Sequence, residues 1–343
     1  MADNLTPLNA IGEFALIQRL QAGLTMRQPG TVLGIGDDAA IIRPTPGQEL
    51  VMTTDLLVEG IHFDLSFCPL RHLGYKAVAV NVSDVAAMNA LPTQLVVALS
   101  VGPRFTVEAV EELYAGLRLA CEAYNVDLVG GDTTASRGGL TLGITVLGEV
   151  PAGQAVRRSG GQPTDLLCVS GDLGGAYLGL QVLEREKQAF LADPDTQPEL
   201  ANYEYVVQRQ LRPEARLDIV HELHERGIRP TSMIDISDGL ASEVLHLCAA
   251  SGTGARVFTE FLPLANPTLE AAAEFNLDPL TCALNGGEDY ELLFTVPVTD
   301  HDKIKNHPDI TIIGHLSEKA DGANLITKAG QAVPLRAQGW TSF

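Results

Sequence analysis

Aspartates follow short apolar runs at five places in this chain, beside Gly, Ser or Thr. The five sites are Gly36-Asp37-Asp38, Thr53-Thr54-Asp55, Ser83-Asp84, Gly130-Gly131-Asp132 and Asp235-Ile236-Ser237-Asp238. The apolar runs can be buried, which leaves each aspartate at a strand or helix end where a ligand can reach it. Carboxylates gathered in this way would repel one another without a cation. Oxygen donors suit Mg²⁺, which proteins usually bind together with substrate phosphates, so the pattern predicts a phosphate-handling enzyme.

Two glycine-rich segments could each bind phosphate. Gly34-Ile35-Gly36-Asp37-Asp38-Ala39 has the spacing of a dinucleotide fingerprint, but its adjacent aspartates would repel pyrophosphate unless a cation intervened. A solvated, Asp-rich turn is the alternative interpretation. Gly130-Gly131-Asp132-Thr133-Thr134 is typical of a loop that cradles phosphate with backbone amides and hydroxyls. The chain contains no Gly-x-x-x-x-Gly-Lys-Ser/Thr sequence, which excludes a P-loop.

Other candidates each have a plain structural alternative. Asp235-Ile236-Ser237-Asp238 follows a predicted strand and opens a predicted helix, so helix capping accounts for one of its acids but not for both. Gly286-Gly287-Glu288-Asp289-Tyr290 places glycines beside acids and also fits a turn. His62 could contact an anionic substrate or be structural. Trp340 could fill an apolar groove or stack on a flat cationic ring.

Strands and helices in alternation must position these residues. Hydrophobic spacing predicts a helix over residues 11–24, strands over 32–42 and 50–58, and an Ala-rich helix over 70–90 that carries Ser83 and Asp84. A Gly-rich loop is predicted over 130–139. A Gly- and Pro-rich shift over 151–163 predicts a boundary between α/β domains at 1–150 and 151–343. The polar stretch 184–213 is predicted to be a surface excursion.

Composition and charge restrict the class of function. The formal charge of −20, from 23 Lys+Arg against 43 Asp+Glu in 343 residues, argues against a nucleic-acid or anionic-membrane partner. Five scattered cysteines indicate neither a disulfide framework nor a zinc site. The sequence shows no apolar stretch typical of a signal peptide or a bilayer span. We therefore expect an intracellular, cytoplasmic protein.

Seven motifs taken together resemble the thiamine-monophosphate kinase family. They lie at residues 34–39, at Thr54-Asp55 with His62, and at 81–88, 130–133, 158–160, 235–240 and 286–292. The resemblance covers almost the whole chain and extends to the superfamily of aminoimidazole ribonucleotide synthetase, selenophosphate synthetase and a carbamoyl-handling hydrogenase maturation protein. It implies a two-domain α/β (α+β) fold whose N-terminal domain pairs its sheet across a homodimer.

The activity implied by this resemblance is transfer of the ATP γ-phosphoryl group to thiamine monophosphate, with several Mg²⁺ ions and ATP as co-substrate; a monovalent cation is left open. The expected metal-binding residues are Asp37, Asp38, Thr53, Thr54, Asp55, Asp84, Asp132, Asp235 and Asp238. The expected ATP-binding residues are Gly130, Gly131, Asp132, Arg158 and Ser237. The expected substrate-binding residues are His62, Glu288 and Trp340. Asp84, Asp132, Arg158 and Asp238 are the expected catalytic residues.

Two other functions fit part of the pattern. A purine-pathway cyclo-ligase of the same superfamily shares the metal and ATP motifs. Selenophosphate synthetase and the carbamoyl-handling relative need a cysteine near one terminus, whereas the first cysteine here is Cys68 and the chain ends Trp340-Thr341-Ser342-Phe343. A non-catalytic, acidic cation-binding protein would explain the charge but not the Gly-Asp and Arg158-Ser159-Gly160 elements.

Overall fold

The computed structural model describes residues 5–195 and 197–339. The chain divides into two compact units, which we describe separately. The first comprises the chain up to Val85 together with Ala90–Gly153, and the second comprises Ala86–Asn89 together with the chain from Gln154 onward. Within the described ranges, no helix has both the length and the apolarity needed to cross a membrane.

The first unit is built on a four-stranded sheet. Its helices are α1 (Leu8–Ile11), α2 (Glu13–Gln21), α3 (Leu70–Ala87) and α4 (Val107–Ala123). Its strands are β1 (Thr31–Leu33), β2 (Ile41–Ile42), β3 (Gln48–Val58), β4 (Leu91–Val101), β5 (Asp127–Ala135) and β6 (Thr141–Pro151). The sheet has the order β3-β6-β4-β5, with β4 and β5 parallel and the other neighbours antiparallel. Strands β1 and β2 form a separate antiparallel pair.

Helices α3 and α4 pack in close contact. A Cβ at Gly74 would lie 2.1 Å from the Leu113 carbonyl oxygen, and a Cβ at Gly116 would lie 1.9 Å from that of Arg71. Only glycine fits where the two backbones approach so closely. Residues 77–83 of α3 are buried throughout, which explains why this helix carries an apolar sequence on every side.

The two faces of the four-stranded sheet differ in exposure. On one face of β3, Leu57 is buried and the three alternate residues before it are half-buried, whereas Leu50, Met52 and Leu56 on the other face are 50%, 71% and 57% exposed. Val96 of β4 is 37% exposed and continues the same face across the sheet. The period of two therefore leaves an apolar sheet face open in the single chain.

Two local predictions for this unit are wrong. The strand expected over 32–42 is interrupted by a loop between β1 and β2, in which Gly36 has a φ of 135°. The loop expected over 130–139 begins later, because β5 continues to Ala135 beside β4. A Cβ at Gly131 would lie 2.1 Å from the Val97 carbonyl oxygen, so this glycine permits close strand pairing.

The second unit is built on a seven-stranded sheet of order β13-β12-β9-β11-β7-β10-β8. The strands are β7 (Leu166–Ser170), β8 (Ser232–Asp235), β9 (Gly254–Phe258), β10 (Leu292–Val296), β11 (Ile310–Ser317), β12 (Ala323–Ile326) and β13 (Ala332–Pro334). The helices are α5 (Gly175–Ala192), α6 (Glu204–Leu211), α7 (Leu217–Glu225), α8 (Leu240–Ser251), α9 (Asn266–Glu274), α10 (Pro279–Asn285) and α11 (His301–Ile304). Buried residues of β7, β8 and α8, including Leu167, Ile234 and Val244, form its main core.

The prediction that residues 184–213 form a surface excursion holds for 188–195 and 197–202, which are mostly exposed, but is wrong for 203–213. Helix α5 continues to Ala192, and α6 buries Val206 and Gln210. Val206 belongs to a second apolar cluster with Ala271 of α9 and Cys282 of α10. The polar composition misled the prediction because α6 is amphipathic and also directs polar side chains inward.

Candidate active site

Strand β3 and helix α3 bring a first set of candidate residues together. The Thr53 hydroxyl donates a 2.5 Å hydrogen bond to Asp84 Oδ2, and the Asp55 backbone N–H donates to Asn81 Oδ1 at 3.0 Å. The Asn81 side chain is itself fixed by donation to the Ala77 carbonyl at 2.9 Å. Because Thr53 and Asp55 are two residues apart on a strand, both side chains lie on the face that α3 covers.

The carboxylates of Asp55 and Asp84 repel each other. Burial, and then the negative charge of Asp84, raise the pKa of Asp55 to about 6. Two neighbouring carboxylates with a hydroxyl and an amide oxygen supply only oxygen donors. Such a donor set fits a hard divalent ion such as Mg²⁺, which would remove the repulsion between Asp55 and Asp84.

The structure does not bring the Thr54 side chain to this pair. Its hydroxyl donates to the Ile144 carbonyl at 3.0 Å and accepts from the Thr145 hydroxyl at 3.0 Å. Thr54 therefore lies on the open face of the sheet, since neighbouring residues of a strand point to opposite sides.

The other candidates of the first unit lie on β5 and on loops. Gly131 and Asp132 are exposed on β5, with Asp132 opposite Ala98 of β4. Asp37 and Asp38 are exposed in the loop after β1, where Asp37 Oδ1 accepts from the Asp38 N–H at 2.9 Å. His62 is exposed after β3, and its Nδ1 accepts from the Val58 N–H at 3.0 Å. This bond leaves Nε2 of the neutral ring as the donor.

The candidates of the second unit centre on the end of β8. Asp235 closes this edge strand and is 5% exposed, whereas Ser237 and Asp238 are half-buried in the turn that leads to α8. The turn is held by main-chain bonds from residues 286–291: the Glu288 N–H donates to the Ser237 carbonyl at 2.7 Å, and the Tyr290 N–H to that of Ile236 at 2.9 Å. The segment thus positions the turn that carries Ser237 and Asp238.

Unusual backbone conformations allow this fit. Gly287, Glu288 and Tyr290 have φ values of 72°, 58° and 52°. A Cβ at Gly287 would lie 2.6 Å from the Ser237 carbonyl oxygen, so the turn has no room for a side chain there. Glu288 and Tyr290 adopt left-handed backbone conformations, which are unfavourable for residues other than glycine. Such conformations persist only where surrounding contacts fix them. The sequence left open that residues 286–290 form a plain turn. Because the segment also supports the turn at Ser237 and Asp238, that description is incomplete.

Those fixing contacts include a buried ionic network. Glu291, 1% exposed, accepts from Arg209 Nη1 at 2.9 Å, from Arg216 Nη1 at 2.7 Å and from the Ser170 hydroxyl. Next to it, Asp289 is also buried and accepts from the Gly174 N–H at 2.9 Å. Burial raises the pKa of Asp289 to about 7, although the nearby Arg209 charge opposes the rise. The sequence did not reveal this network, because Arg209 and Arg216 are distant from Glu291 along the chain.

Glu243 of α8 is another residue that the sequence did not single out. It is 2% exposed, and its Oε1 accepts from the Asp238 N–H at 3.3 Å. Burial is the main cause that raises its pKa to about 8, and the charges of Asp238 and Asp235 add to the effect. Its Oε2 has no hydrogen-bond partner among the described residues. Its position five residues after Asp238 could have identified it, since that spacing places it in the first turns of the predicted helix.

The remaining predicted residues are placed as follows. Arg158 is exposed in the second unit, and its carbonyl accepts from the Ser251 hydroxyl at 3.2 Å. The Glu288 carboxylate accepts from Gln210 Nε2 at 2.6 Å. Trp340 lies outside the described residues. The first unit holds five of the seven predicted carboxylates, and the second unit holds Asp235 and Asp238. Across residues 5–195 and 197–339, no cluster of three or more His, Cys, Asp or Glu side chains is arranged to bind a metal.

Comparisons with known proteins are consistent across sequence and structure. Residues 36–150 match the family model described as AIR synthase related protein, N-terminal domain. The thiamine-monophosphate kinase of Salmonella typhimurium is 36% identical, over 97% of this chain and 99% of that protein. The thiamine-monophosphate kinase of Aquifex aeolicus is 35% identical, over 98% of this chain and 99% of that protein.

Solved structures give the same result. The crystal structure of thiamine-monophosphate kinase from Stenotrophomonas maltophilia has 34% identity and a TM-score of 0.78, covering 94% of this chain and 98% of that one. A structure of AaThiL complexed with AMPPCP and TMP has 32% identity and a TM-score of 0.74, covering 99% and 100% of the two chains. The hydrogenase maturation protein HypE in complex with ATP, at 20% identity and a TM-score of 0.73, shares the fold.

Proposed function

The chain belongs to the thiamine-monophosphate kinase family, and we propose that it phosphorylates thiamine monophosphate to thiamine diphosphate with ATP as the donor. One observation carries this proposal: a relative that aligns with 99% of the chain was solved with AMPPCP, an ATP analogue, and TMP. Our chain retains the candidate oxygen donors, with Thr53, Asp55 and Asp84 brought together by β3 and α3. The Gly287-Glu288 segment supports the turn at Ser237 and Asp238.

Several Mg²⁺ ions are part of this proposal. The residues that would hold them are Asp37, Asp38, Thr53, Asp55, Asp84 and Asp132 in the first unit, and Asp235 and Asp238 in the second. Thr54 remains in the proposed ligand set only through its main chain, because its hydroxyl is engaged on the other sheet face. When bound, Mg²⁺ neutralises phosphate charge and polarises phosphoryl oxygens. The binding of a monovalent cation is left open, as in the sequence analysis.

The chemical step requires little proton transfer from the protein. The second pKa of a phosphate monoester is about 6, so the attacking oxygen of thiamine monophosphate is mostly deprotonated at neutral pH. That oxygen forms a bond to the γ-phosphorus of ATP while the bond from the γ-phosphorus to the β-γ bridging oxygen breaks, and ADP leaves. No covalent phospho-enzyme is needed in this scheme.

Side chains of the protein then act by positioning and by charge. The fixed placement of Asp55 and Asp84 by Asn81 and Thr53 avoids reorganisation during the reaction. Exposed Arg158, with Gly130, Gly131 and Ser237, is proposed to contact ATP phosphates, since a guanidinium pairs with two phosphate oxygens at once. Asp84, Asp132, Arg158 and Asp238 are the proposed catalytic residues.

Substrate contacts are proposed for His62, Glu288 and Trp340. The exposed His62 ring has Nε2 available as a donor for an anionic phosphate. Glu288 is a suitable partner for a cationic substrate because Gln210 fixes its carboxylate. Trp340 is proposed from the family resemblance alone, to stack on the thiazolium ring.

A homodimer is proposed from the open sheet face. Leu50, Met52, Leu56 and Val96 form an exposed apolar face that is unusual for a monomeric protein. A second copy of the sheet would cover it with matching side chains.

A cytoplasmic location is proposed from the cysteines. All five lie within the described residues, are buried and form no disulfide, which agrees with a reducing compartment.

The test is an incubation of the purified chain with ATP, Mg²⁺ and thiamine monophosphate, followed by oxidation to fluorescent thiochromes and their separation. We expect thiamine diphosphate that requires both ATP and Mg²⁺. Matched incubations with EDTA, or with thiamine in place of its monophosphate, should yield none. Absence of the diphosphate from the complete mixture would refute the proposed function.

A further inference from the structure

The first unit contains a cavity that the proposed reaction does not use. Its volume is about 330 Å³, and its walls come from residues 23–27, the first turn of α3, the second half of α4 and the start of β5. Three arginines line it: Arg27 on the loop, Arg71 on α3 and Arg118 on α4. Three arginines thus line one cavity in a chain whose formal charge is −20.

These positive charges are only partly neutralised. Arg27 Nη2 pairs with Glu122 Oε1 at 3.0 Å, and Glu122 is the one acidic side chain in the described lining. Arg118 Nη1 donates to the Leu20 carbonyl, a neutral acceptor, at 3.4 Å. Within the described part of the chain, the Arg71 guanidinium has neither a hydrogen-bond partner nor an ion-pair partner. Three cations therefore face one carboxylate of the lining, and the buried carboxylate of Asp127 lies behind the wall, where it accepts from the Arg27 backbone N–H at 2.7 Å.

The same cavity has apolar walls. Met26 and Leu119 line it and are 38% and 40% exposed, while Val126 and Leu128 of the lining are buried. Arginines can bind phosphate oxygens in pairs, and exposed apolar side chains beside them can cover an attached organic group. The lining thus combines two kinds of contact that a phosphorylated organic molecule would use.

The cavity is distant from the residues that α3 and β5 contribute to the proposed reaction, and it approaches the loop of Asp37 and Asp38 only through Met26, whose side chain packs beside Gly34. Arg71 lies in the first turn of α3, whereas Asn81 and Asp84 lie near its other end. At a rise of about 1.5 Å per residue, ten to thirteen residues of helix separate them by roughly 15–20 Å. Strand β5 likewise enters the cavity wall at Leu128 and carries Asp132 further along.

We propose that this arginine-lined cavity is a second anion site, which binds a small organic molecule bearing a diphosphate. A diphosphate presents at least two negative charges, which match the excess positive charge of the lining. Free pyrophosphate, a nucleoside diphosphate and thiamine diphosphate share this chemistry. Binding at the site is independent of the proposed kinase activity, so failure of one leaves the other standing.

The test uses Met26 as a local reporter. Methionine-methyl ¹³C NMR of the full chain, with Met26 assigned through Met26→Leu, is recorded in EDTA so that Mg²⁺-dependent binding elsewhere is suppressed. Pyrophosphate, ADP and thiamine diphosphate are titrated in turn to about 10 mM. We expect the Met26 signal to shift with saturation, while Met52, on the open sheet face, and buried Met233 stay in place.

Variants make the result specific. Arg71→Leu and Arg118→Leu should each weaken the binding about tenfold or more, because each removes a charge-assisted contact. Arg43→Leu changes an exposed arginine outside the lining and should leave the titration unchanged. Tighter binding of ADP than of pyrophosphate assigns a nucleotide, and preference for thiamine diphosphate assigns that molecule. Pyrophosphate that binds as tightly as both organic diphosphates would show that the apolar walls take no part and would overturn the proposal of an organic ligand. A Met26 signal that none of the three shifts, or a shift that survives both arginine variants, would overturn the proposal.

Discussion

Replacement of Glu291 by Gln should destabilise the second unit and disturb the turn at residues 236–238. Each Glu291 oxygen is engaged: Oε1 accepts from Arg209, and Oε2 accepts from both Arg216 and Ser170. Glutamine has one carbonyl oxygen and one NH₂ group. Its nitrogen must therefore face at least one guanidinium, donor against donor. The two arginines then keep only their other acidic neighbours, Asp218 at 2.8 Å from Arg216 and Asp289 at 3.8 Å from Arg209.

The expected cost follows from burial. Glu291 has a side-chain exposure of 1%, and the Arg209 and Arg216 side chains are 16% and 13% exposed. Breaking a buried ion pair by removing one partner costs about 3–5 kcal/mol. For a unit of this size, each kcal/mol lowers the melting temperature by about 2–4 °C, so we expect a decrease of about 6–20 °C.

The assay is thermal and urea unfolding, with Glu274→Gln as the matched control. Glu274 also accepts from an arginine, Arg185 Nη1 at 2.7 Å, and from the Tyr203 hydroxyl, but its side chain is 51% exposed. Its substitution should have a much smaller effect, because water replaces the lost contacts. If Glu291→Gln lowers the melting temperature no more than Glu274→Gln, the network does not support the fold as we describe it.

Three further predictions test other parts of the structure. Asp84→Asn should lower turnover by about 100-fold or more. The urea midpoint should stay nearly unchanged, because the amide oxygen can still accept from Thr53. Unaltered Mg²⁺-dependent turnover would contradict the proposed metal site, and Asp302→Asn, at an exposed position, is the control. The raised pKa of Asp289, about 7 in the folded chain against about 4 in an unfolded one, means that the folded state holds its proton to higher pH. The contribution of Asp289 to the free energy of unfolding should therefore be most favourable below pH 4 and decline as the pH rises towards 7. If the urea midpoints of the wild type and of Asp289→Asn keep a constant difference over this range, the prediction is wrong. Met52→Glu places a charge on the open sheet face and should convert the proposed dimer to monomers in sedimentation velocity, whereas an unchanged sedimentation coefficient would place the interface elsewhere.

The sequence was sufficient for the family, the α/β class and the helix that carries Asp84. These inferences succeeded because motif order and hydrophobic spacing are local properties of the chain. The helix predicted over 70–90 is confirmed as α3, since a run of apolar and small residues of that length forms a buried helix. Asp84 accepts a hydrogen bond from Thr53, and its role as a metal ligand stays a prediction.

The failures concern contacts between distant residues. Glycines at 130 and 131 suggested a loop, but both lie in β5, and Gly131 permits the close pairing of β5 with β4. The polar α6 looked like surface, yet Arg209 on this helix reaches Glu291, 82 residues away. Glu243 was overlooked because a glutamate in a helix is ordinarily solvated. The β5–β4 pairing and the Arg209–Glu291 contact join residues far apart in the chain and leave no periodic signal in the sequence, whereas the spacing of Glu243 from Asp238 is a local signal that was not used.

The most direct test of the central claim follows the phosphoryl group itself. ATP labelled with ¹⁸O on the γ-phosphorus is incubated with the full chain, Mg²⁺ and thiamine monophosphate, and the products are followed by ³¹P NMR. The account predicts equal amounts of ADP and thiamine diphosphate, with the label on the terminal phosphorus of the thiamine diphosphate. Label recovered in inorganic phosphate, with thiamine monophosphate unchanged, would contradict it.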